Sequence, residues 1–342
     1  MRLLVTGASG LIGSNLAAAA AQQSWSVVGT WRHTPVSLLG ARTAQLDVTD
    51  RHACVALAEE LEPDVIVHAG AEGSLERFER APHLAELGLR GTENTLAAAR
   101  AVRARYALVS CEHVFSGARP SGECWEEDDP TEPTTALGRS LLACEQLVER
   151  FGGSWLITRP ADAYGVNLAI PAPGGADPEE AAERRARYVW SRSGAPLRWV
   201  AALRAGRILL APRGVRHTPT YAWDYAQRLC DLIAQECEGI FHTAGPTILG
   251  RLAQMRLLAR AFECELELVR EGPPQPLAVN TALCDSKASF VLGRPAIDPF
   301  NGHRLLRRRL EPLISNVAPT TTAATTAAVA GTPGAAPLVV EV

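Results

Sequence analysis

Residues 2–7 read RLLVTG, a short aliphatic run ending in glycine, and the SNLAAAAAQQ segment that follows is strongly helix-forming. The same alternation recurs. WSVVGTW predicts a strand, RHACVALAEEL an amphipathic helix, PDVIVHAG a strand, RGTENTLAAARAV a helix and YALVSC a strand. A helix over about 135–150 and the strand SWLITRP continue the series. Strands separated by helices require crossover connections, so the pattern predicts an α/β fold: a Rossmann-type doubly wound parallel sheet with a smaller C-terminal substrate lobe. The Rossmann domain is expected over 1–160. Beyond it the chain turns Pro/Gly-rich (IPAPGGADP), with helical stretches at about 178–206 and 221–237. Residues 161–312 are read as a substrate lobe interleaved with the end of the Rossmann domain. The Ala/Thr/Pro-rich stretch 313–342 has no hydrophobic period and is expected to be disordered.

Composition narrows the function classes. With 342 residues, 47% of them hydrophobic, a formal charge of -3 and arginines scattered rather than striped, the chain lacks the basic footprint of a nucleic-acid binder. No apolar stretch approaches the roughly 18 residues that span a bilayer, and no leader pattern precedes RLLVTG, so neither a membrane nor export is expected; the cytoplasm is. The eight cysteines show neither CxxC pairing nor scaffold spacing, which predicts reduced, mostly buried thiols and no metal. Lys287 is the only lysine.

The glycines of TGASGLIG (Gly7, Gly10 and Gly13) lie between a predicted strand and a predicted helix. There they let the backbone turn sharply and meet a pyrophosphate at the helix N-terminus. Ser9, Leu11 and Ile12 complete the expected loop. A carboxylate for the ribose 2′-hydroxyl is expected about 20 residues on. The second strand instead ends VVGTWRH, and Arg32 there favours a 2′-phosphate, hence NADP(H) over NAD(H). Asp47, followed by Val48, is placed either to accept from the adenine amino group or to cap the next helix. Ala69, Gly70 and Ala71 end the fourth strand, where small residues let the backbone lie against a cofactor.

Eight blocks in order over about residues 1–312 carry a resemblance: LLVTGASGLIG, LDVTD, PDVIVHAGAE, VSCEHVFSG, EEDDPTEPTTALGRSLLACE, HTPTYAWDYA, GIFHTAG and NTALCDSKASFVLG. The chain resembles the extended short-chain dehydrogenase/reductases, specifically the dTDP-4-dehydrorhamnose reductase group, which includes the regulatory β subunit of methionine adenosyltransferase. The resemblance implies hydride transfer from NADPH to the 4-keto group of a nucleotide-linked sugar. A Ser or Thr polarises the carbonyl, a tyrosine gives the proton, and a lysine four residues later lowers the tyrosine's pKa while holding the nicotinamide ribose. It also implies either a homodimer or a regulatory protein partner.

By position, Ser110 keeps the serine, and Glu112 and His113 occupy the loop near the substrate. Leu137 and Leu141 stand where the family has tyrosine and lysine. No copy of the pair exists elsewhere, because the residue four before Lys287 is Leu283. Three readings follow: a non-catalytic or regulatory NADP(H)-binding protein; a reductase of a nucleotide-sugar or other small carbonyl using Ser110 with His113 or Glu112; or a non-redox isomerase or cyclase. Tyr164 either faces the nicotinamide or packs. Arg159 and Asn167 either meet a sugar or phosphate or serve an ion pair or cap. Thr218, in the HTPTYAWDYA block with His217, closes the substrate lobe, and Asp224 positions a helix.

Overall fold

Alternation within each strand decides how the sheet is covered. In β1 (Arg2–Thr6), Leu3 and Val5 face one way and join an apolar cluster with Val27, Val65, Val67, Ala107 and Leu156. Leu4 faces the other way, with Val28, Ile66, Tyr106, Leu108 and Ile157. Both faces are therefore buried, which is why the strands read as continuous aliphatic runs. The computed structural model describes residues 1–70, 75–81, 83–172, 177–314 and 339–341.

In chain order, β1 is followed by α1 (Leu11–Gln22), β2 (Ser26–Trp31), β3 (Val36–Ser37), β4 (Arg42–Gln45), α2 (Arg51–Leu61) and β5 (Val65–His68). Next come α3 (Leu75–Arg80), α4 (His83–Val102), β6 (Arg105–Val109), α5 (Ala136–Glu149), β7 (Trp155–Arg159) and β8 (Ile170–Pro171). The second lobe adds α6 (Pro178–Arg192), α7 (Ala195–Arg204), β9 (Ile208–His217), α8 (Ala222–Ala234), β10 (Gly239–His242) and β11 (Leu249–Gly250). The last elements are α9 (Arg251–Ala261), β12 (Val269–Asn280), α10 (Ser286–Leu292), α11 (Pro299–Ile314) and β13 (Val339–Glu341).

Seven strands pair in parallel in the order β10-β7-β6-β5-β1-β2-β4. The chain leaves β1 toward β2 and β4, then crosses to β5 on the other side. That reversal opens a crevice at the carboxyl ends of β1 and β5. The final strand, β10, comes from within the second lobe and pairs with β7. A smaller sheet is centred on β9, flanked by β11, β12 and β13. The helical stretch expected at 178–206 is broken into α6 and α7 at Gly194, whose φ of 85° no helix tolerates.

Two expectations are corrected. The cysteines are not all reduced: Cys124 and Cys284 form a disulfide across 160 residues, while Cys54, Cys111, Cys144, Cys230, Cys237 and Cys264 are free. The bond joins two loops that already share backbone hydrogen bonds, Trp125 N–H to the Ala282 carbonyl and Cys284 N–H to the Trp125 carbonyl. That proximity is tertiary, so no spacing in the chain announces it. Within the stretch expected to be disordered, Val339–Glu341 run parallel to β9 at Ile208–Leu210; residues 315–338 lie outside the described residues. No helix among the described residues is long and apolar enough to cross a membrane.

Candidate functional site

The crevice brings the glycine loop and the end of β5 together. Gly7 has a φ of 70°, and a Cβ there would stand 2.4 Å from the Ala69 carbonyl oxygen; a Cβ on Gly13 would stand 2.5 Å from the Gly7 carbonyl oxygen. Both are therefore held to glycine by close backbone approach. Gly10 is the N-cap of α1 and makes no side-chain cap bond, and the first turn carries no acidic residue. This end of α1 offers N–H donors and the positive end of the helix dipole, a donor set that fits a diphosphate. Leu11 and Ile12, its first residues, are half-buried, and Leu11 lies against Gly165. Beneath the loop, His68 Nδ1 meets the Thr6 hydroxyl at 2.6 Å, and burial pushes the imidazole down to about 4.

Arg32 and Asp47 find each other. Arg32 Nε and Asp47 Oδ2 are 2.9 Å apart, joining the ends of β2 and β4. Burial works to raise the Asp47 carboxyl, but hydrogen bonds from Thr49 and the Arg32 guanidinium outweigh it and hold the carboxyl below its usual range. Asp47 does not cap α2; Asp50 does, accepting from Ala53 N–H. The Val48 carbonyl takes Asn94 Nδ2 at 3.0 Å, and its side chain packs where a Cβ on Gly91 would fall. Gly70 is exposed beside His68, and Ala71 lies outside the described residues.

At the end of β6, Ser110 is 4% exposed, and its buried hydroxyl has no hydrogen-bond partner among the described residues. The next residue faces the opposite way. It is Cys111, which packs on an apolar cluster containing Leu137 and Leu141. Burial, followed by the neighbouring Glu112, raises that thiol well above its ordinary value, so it is a poor nucleophile.

Glu112 Oε1 accepts from Asp162 N–H at 3.0 Å and lies 4.0 Å from His113 Nε2, whose side chain is 25% exposed. Helix α5 approaches this turn closely: a Cβ on Gly138 would fall 1.9 Å from the His113 carbonyl oxygen. Leu137 is fully buried and Leu141 is 5% exposed, both packed with Phe78, Val114, Phe115, Trp125 and Leu283. Both leucines are thus enclosed by other apolar side chains. Lys287 is remote, donating to the Ile240 carbonyl at 2.7 Å and lying over Phe241.

Four further candidates are buried and packed or bonded within the protein. Tyr164 is fully buried, stacked on His303 with ring centroids 4.6 Å apart and its hydroxyl against Gly302. Asn167, 1% exposed, donates to the Ser9 carbonyl at 3.0 Å and accepts from Ala169 N–H. Arg159 is spent on a buried fork to Glu145 at 2.9 and 2.6 Å. Thr218 bonds the Leu283 backbone. Asp224 does anchor α8, accepting from Ile297 N–H and Arg294. Two features escaped the sequence reading. Tyr188 on α6 donates to the Ser9 carbonyl at 3.2 Å. Asp162, at a positive φ of 42°, is held by Arg251 and Gln254 beside His217. Only the fold brings these positions together.

The family model described as RmlD substrate binding domain matches residues 1–169. The methionine adenosyltransferase 2 subunit beta of Xenopus laevis is 31% identical over 165 residues, 48% of this chain and 47% of that one. The match thus spans about half that relative's length. A dTDP-4-dehydrorhamnose reductase of Mycolicibacterium smegmatis is 29% identical over 271 residues, 79% of this chain and 72% of that one. Among solved structures, the dTDP-4-dehydrorhamnose reductase of Clostridium acetobutylicum superposes with a TM-score of 0.71 at 18% identity, covering 91% of this chain and all of that one. The Bacillus anthracis dTDP-4-dehydrorhamnose reductase, in complex with NADP, gives 0.71 at 18% identity over 90% of this chain and 98% of its own. The first 169 residues match the RmlD substrate binding domain family, and the chain shares the fold of these dTDP-4-dehydrorhamnose reductase structures.

Proposed function

We propose that this chain binds NADP(H) and lacks the proton relay of the reductases it resembles, acting as a non-catalytic or regulatory member of their family. The observation that carries the reading is the pair Leu137 and Leu141, buried in an apolar cluster where a phenol and an ammonium would be needed. When bound, NADPH supplies a hydride. The resulting alkoxide still needs a proton, and a phenol serves at neutral pH only with a cation beside it. Of the five tyrosines, three have their hydroxyls hydrogen-bonded elsewhere, and the hydroxyls of Tyr164 and Tyr221 are buried without a partner among the described residues. Tyr106 meets Thr95, Tyr225 meets Thr158, Tyr188 meets Ser9, and Tyr164 and Tyr221 are buried near each other. Gly7, Gly10 and Gly13 would cradle the diphosphate, and Arg32, half-exposed, would face a 2′-phosphate with Asp47 at its other side.

A second reading has one observation in its favour. The Ser110 hydroxyl is buried without a partner, as a group awaiting a carbonyl oxygen would be, and His113 is near enough to the surface to exchange protons. On that reading the chain reduces a nucleotide-sugar or a related small carbonyl.

Binding and turnover separate the two. NADPH is titrated by its fluorescence, and 4-keto sugar nucleotides are offered to the wild type and to Leu137→Tyr/Leu141→Lys, with thermal melts verifying the fold. Binding by both and turnover by the double mutant alone is expected. Turnover by the wild type, lost in His113→Ala, would establish the second reading instead.

A further inference from the structure

The second lobe reaches across to the glycine loop through α6. Tyr188 donates to the Ser9 carbonyl at 3.2 Å, and Asn167, ahead of β8, donates to the same oxygen at 3.0 Å. One face of α6 is thereby fixed against the loop. Residues three or four apart on a helix share a stripe, so Arg185 and Arg192 flank Tyr188 on that face. The Arg192 guanidinium carbon lies 5.0 Å from the Tyr188 ring centroid. Ala186 and Val189, fully buried or nearly so, form the adjoining ridge and place Arg185 between that ridge and Tyr188.

Arg185 is not matched there. Its Nε is buried with no hydrogen-bond partner, and among the described residues neither Arg185 nor Arg192 has an ion pair. Arg187, off this stripe, pairs with Glu183. A buried guanidinium N–H without an acceptor is unfavourable, and an anion held by a planar fork removes the deficit. Tyr188, one helical turn along the same stripe, is the α6 side chain that reaches the glycine loop ahead of α1.

We propose that Arg185, supported by Tyr188 and Arg192, is a diphosphate-binding residue through which the second lobe closes over the glycine loop and grips the dinucleotide. The inference rests on the NADP(H) reading and adds what that reading leaves out. With Leu141 in place of an ammonium, the nicotinamide ribose loses its anchor, and the grip moves to the phosphates. Affinity then resides in the half of the cofactor that carries the diphosphate.

Calorimetric titrations with NADPH, with 2′-phospho-ADP-ribose, which keeps the diphosphate but not the nicotinamide, and with dTDP as the sugar-nucleotide probe test this. The set compares the wild type with Arg185→Met, Arg185→Lys and the exposed-side control Arg184→Met. Arg185→Met is expected to weaken NADPH and 2′-phospho-ADP-ribose alike by about tenfold or more, Arg185→Lys to recover part of the loss, and Arg184→Met to change neither. Arg192→Met, on the outer end of the stripe, is expected to weaken both severalfold, and it decides the matter should Arg185→Met fail to fold. Unchanged NADPH affinity in the Arg185 and Arg192 variants overturns the proposal, as does a loss confined to dTDP. A wild type that binds no NADPH overturns the cofactor reading itself.

Discussion

Single atoms settle several questions at this site. Gly138 passes the turn after β6 so closely that any side chain would collide with the His113 carbonyl, and backbone on both sides cannot yield. Gly138→Ala should therefore lower stability by about 2–3 kcal/mol, as overpacking does, whereas Gly122→Ala, which would meet nothing within 4 Å, should be near neutral. Urea midpoints of the two variants measure the contrast, and equal midpoints would show that α5 shifts freely. The glycines of the cofactor loop and the leucines at 137 and 141 were legible in the sequence, because their meaning depends on order along the chain. The roles of Tyr164, Asn167 and Arg159 were not. Each is a polar side chain whose partner, respectively His303, Ser9 and Glu145, is supplied by packing. The packing of Cys111 on the cluster of Leu137 and Leu141 was not legible either, because the direction a side chain takes at the end of a strand depends on the phase of that strand.

At the scale of elements, the strands and helices of the first half follow directly from apolar periodicity, and RHACVALAEEL coincides with α2 from end to end. The second lobe is less legible. β9 pairs with strands from three separate places in the chain, including the proline-interrupted β12, and register between distant segments leaves no local pattern. The disulfide belongs to the same category. It ties the loop between β6 and α5 to the loop after β12, where Trp125 stacks on Phe115 over the cluster holding Leu137. A closed loop of 160 residues restricts the unfolded chain by up to about 5 kcal/mol in the chain-entropy account. Cys124→Ser should lower the melting temperature, and a reductant should lower that of the wild type but not of the variant. Identical melts for all four samples would show that the native hydrogen bonds alone hold these loops.

The molecule as a whole carries a dependence on pH that no single site reveals. Burial pushes His68, His217 and His303 down to about 4 and His242 to about 3, with Arg159 adding to the shift at His242. All four are neutral in the fold at neutral pH, while the unfolded chain takes up their protons near pH 6.5. The unfolded state therefore binds more protons between about pH 6.5 and 4. The stabilisation is full above that window and is lost as pH falls through it, by up to about 1.4 kcal/mol per pH unit for each histidine. Asp162, whose burial is outweighed by Arg251 and His217 so that its carboxyl sits well below the usual range, adds a loss at still lower pH. Thermal melts at pH 7.5, 6 and 5 should show a steepening decline, and a flat profile would mean that these imidazoles are hydrated. The order of synthesis gives β10 a separate importance. Until the chain has grown past His242, β7 is an unpaired edge in an otherwise aliphatic sheet. The stretch that the family model matches, ending at residue 169, therefore holds six of the seven strands and leaves β7 as the edge: the seventh strand, which covers it, is a contribution of the second half of the chain.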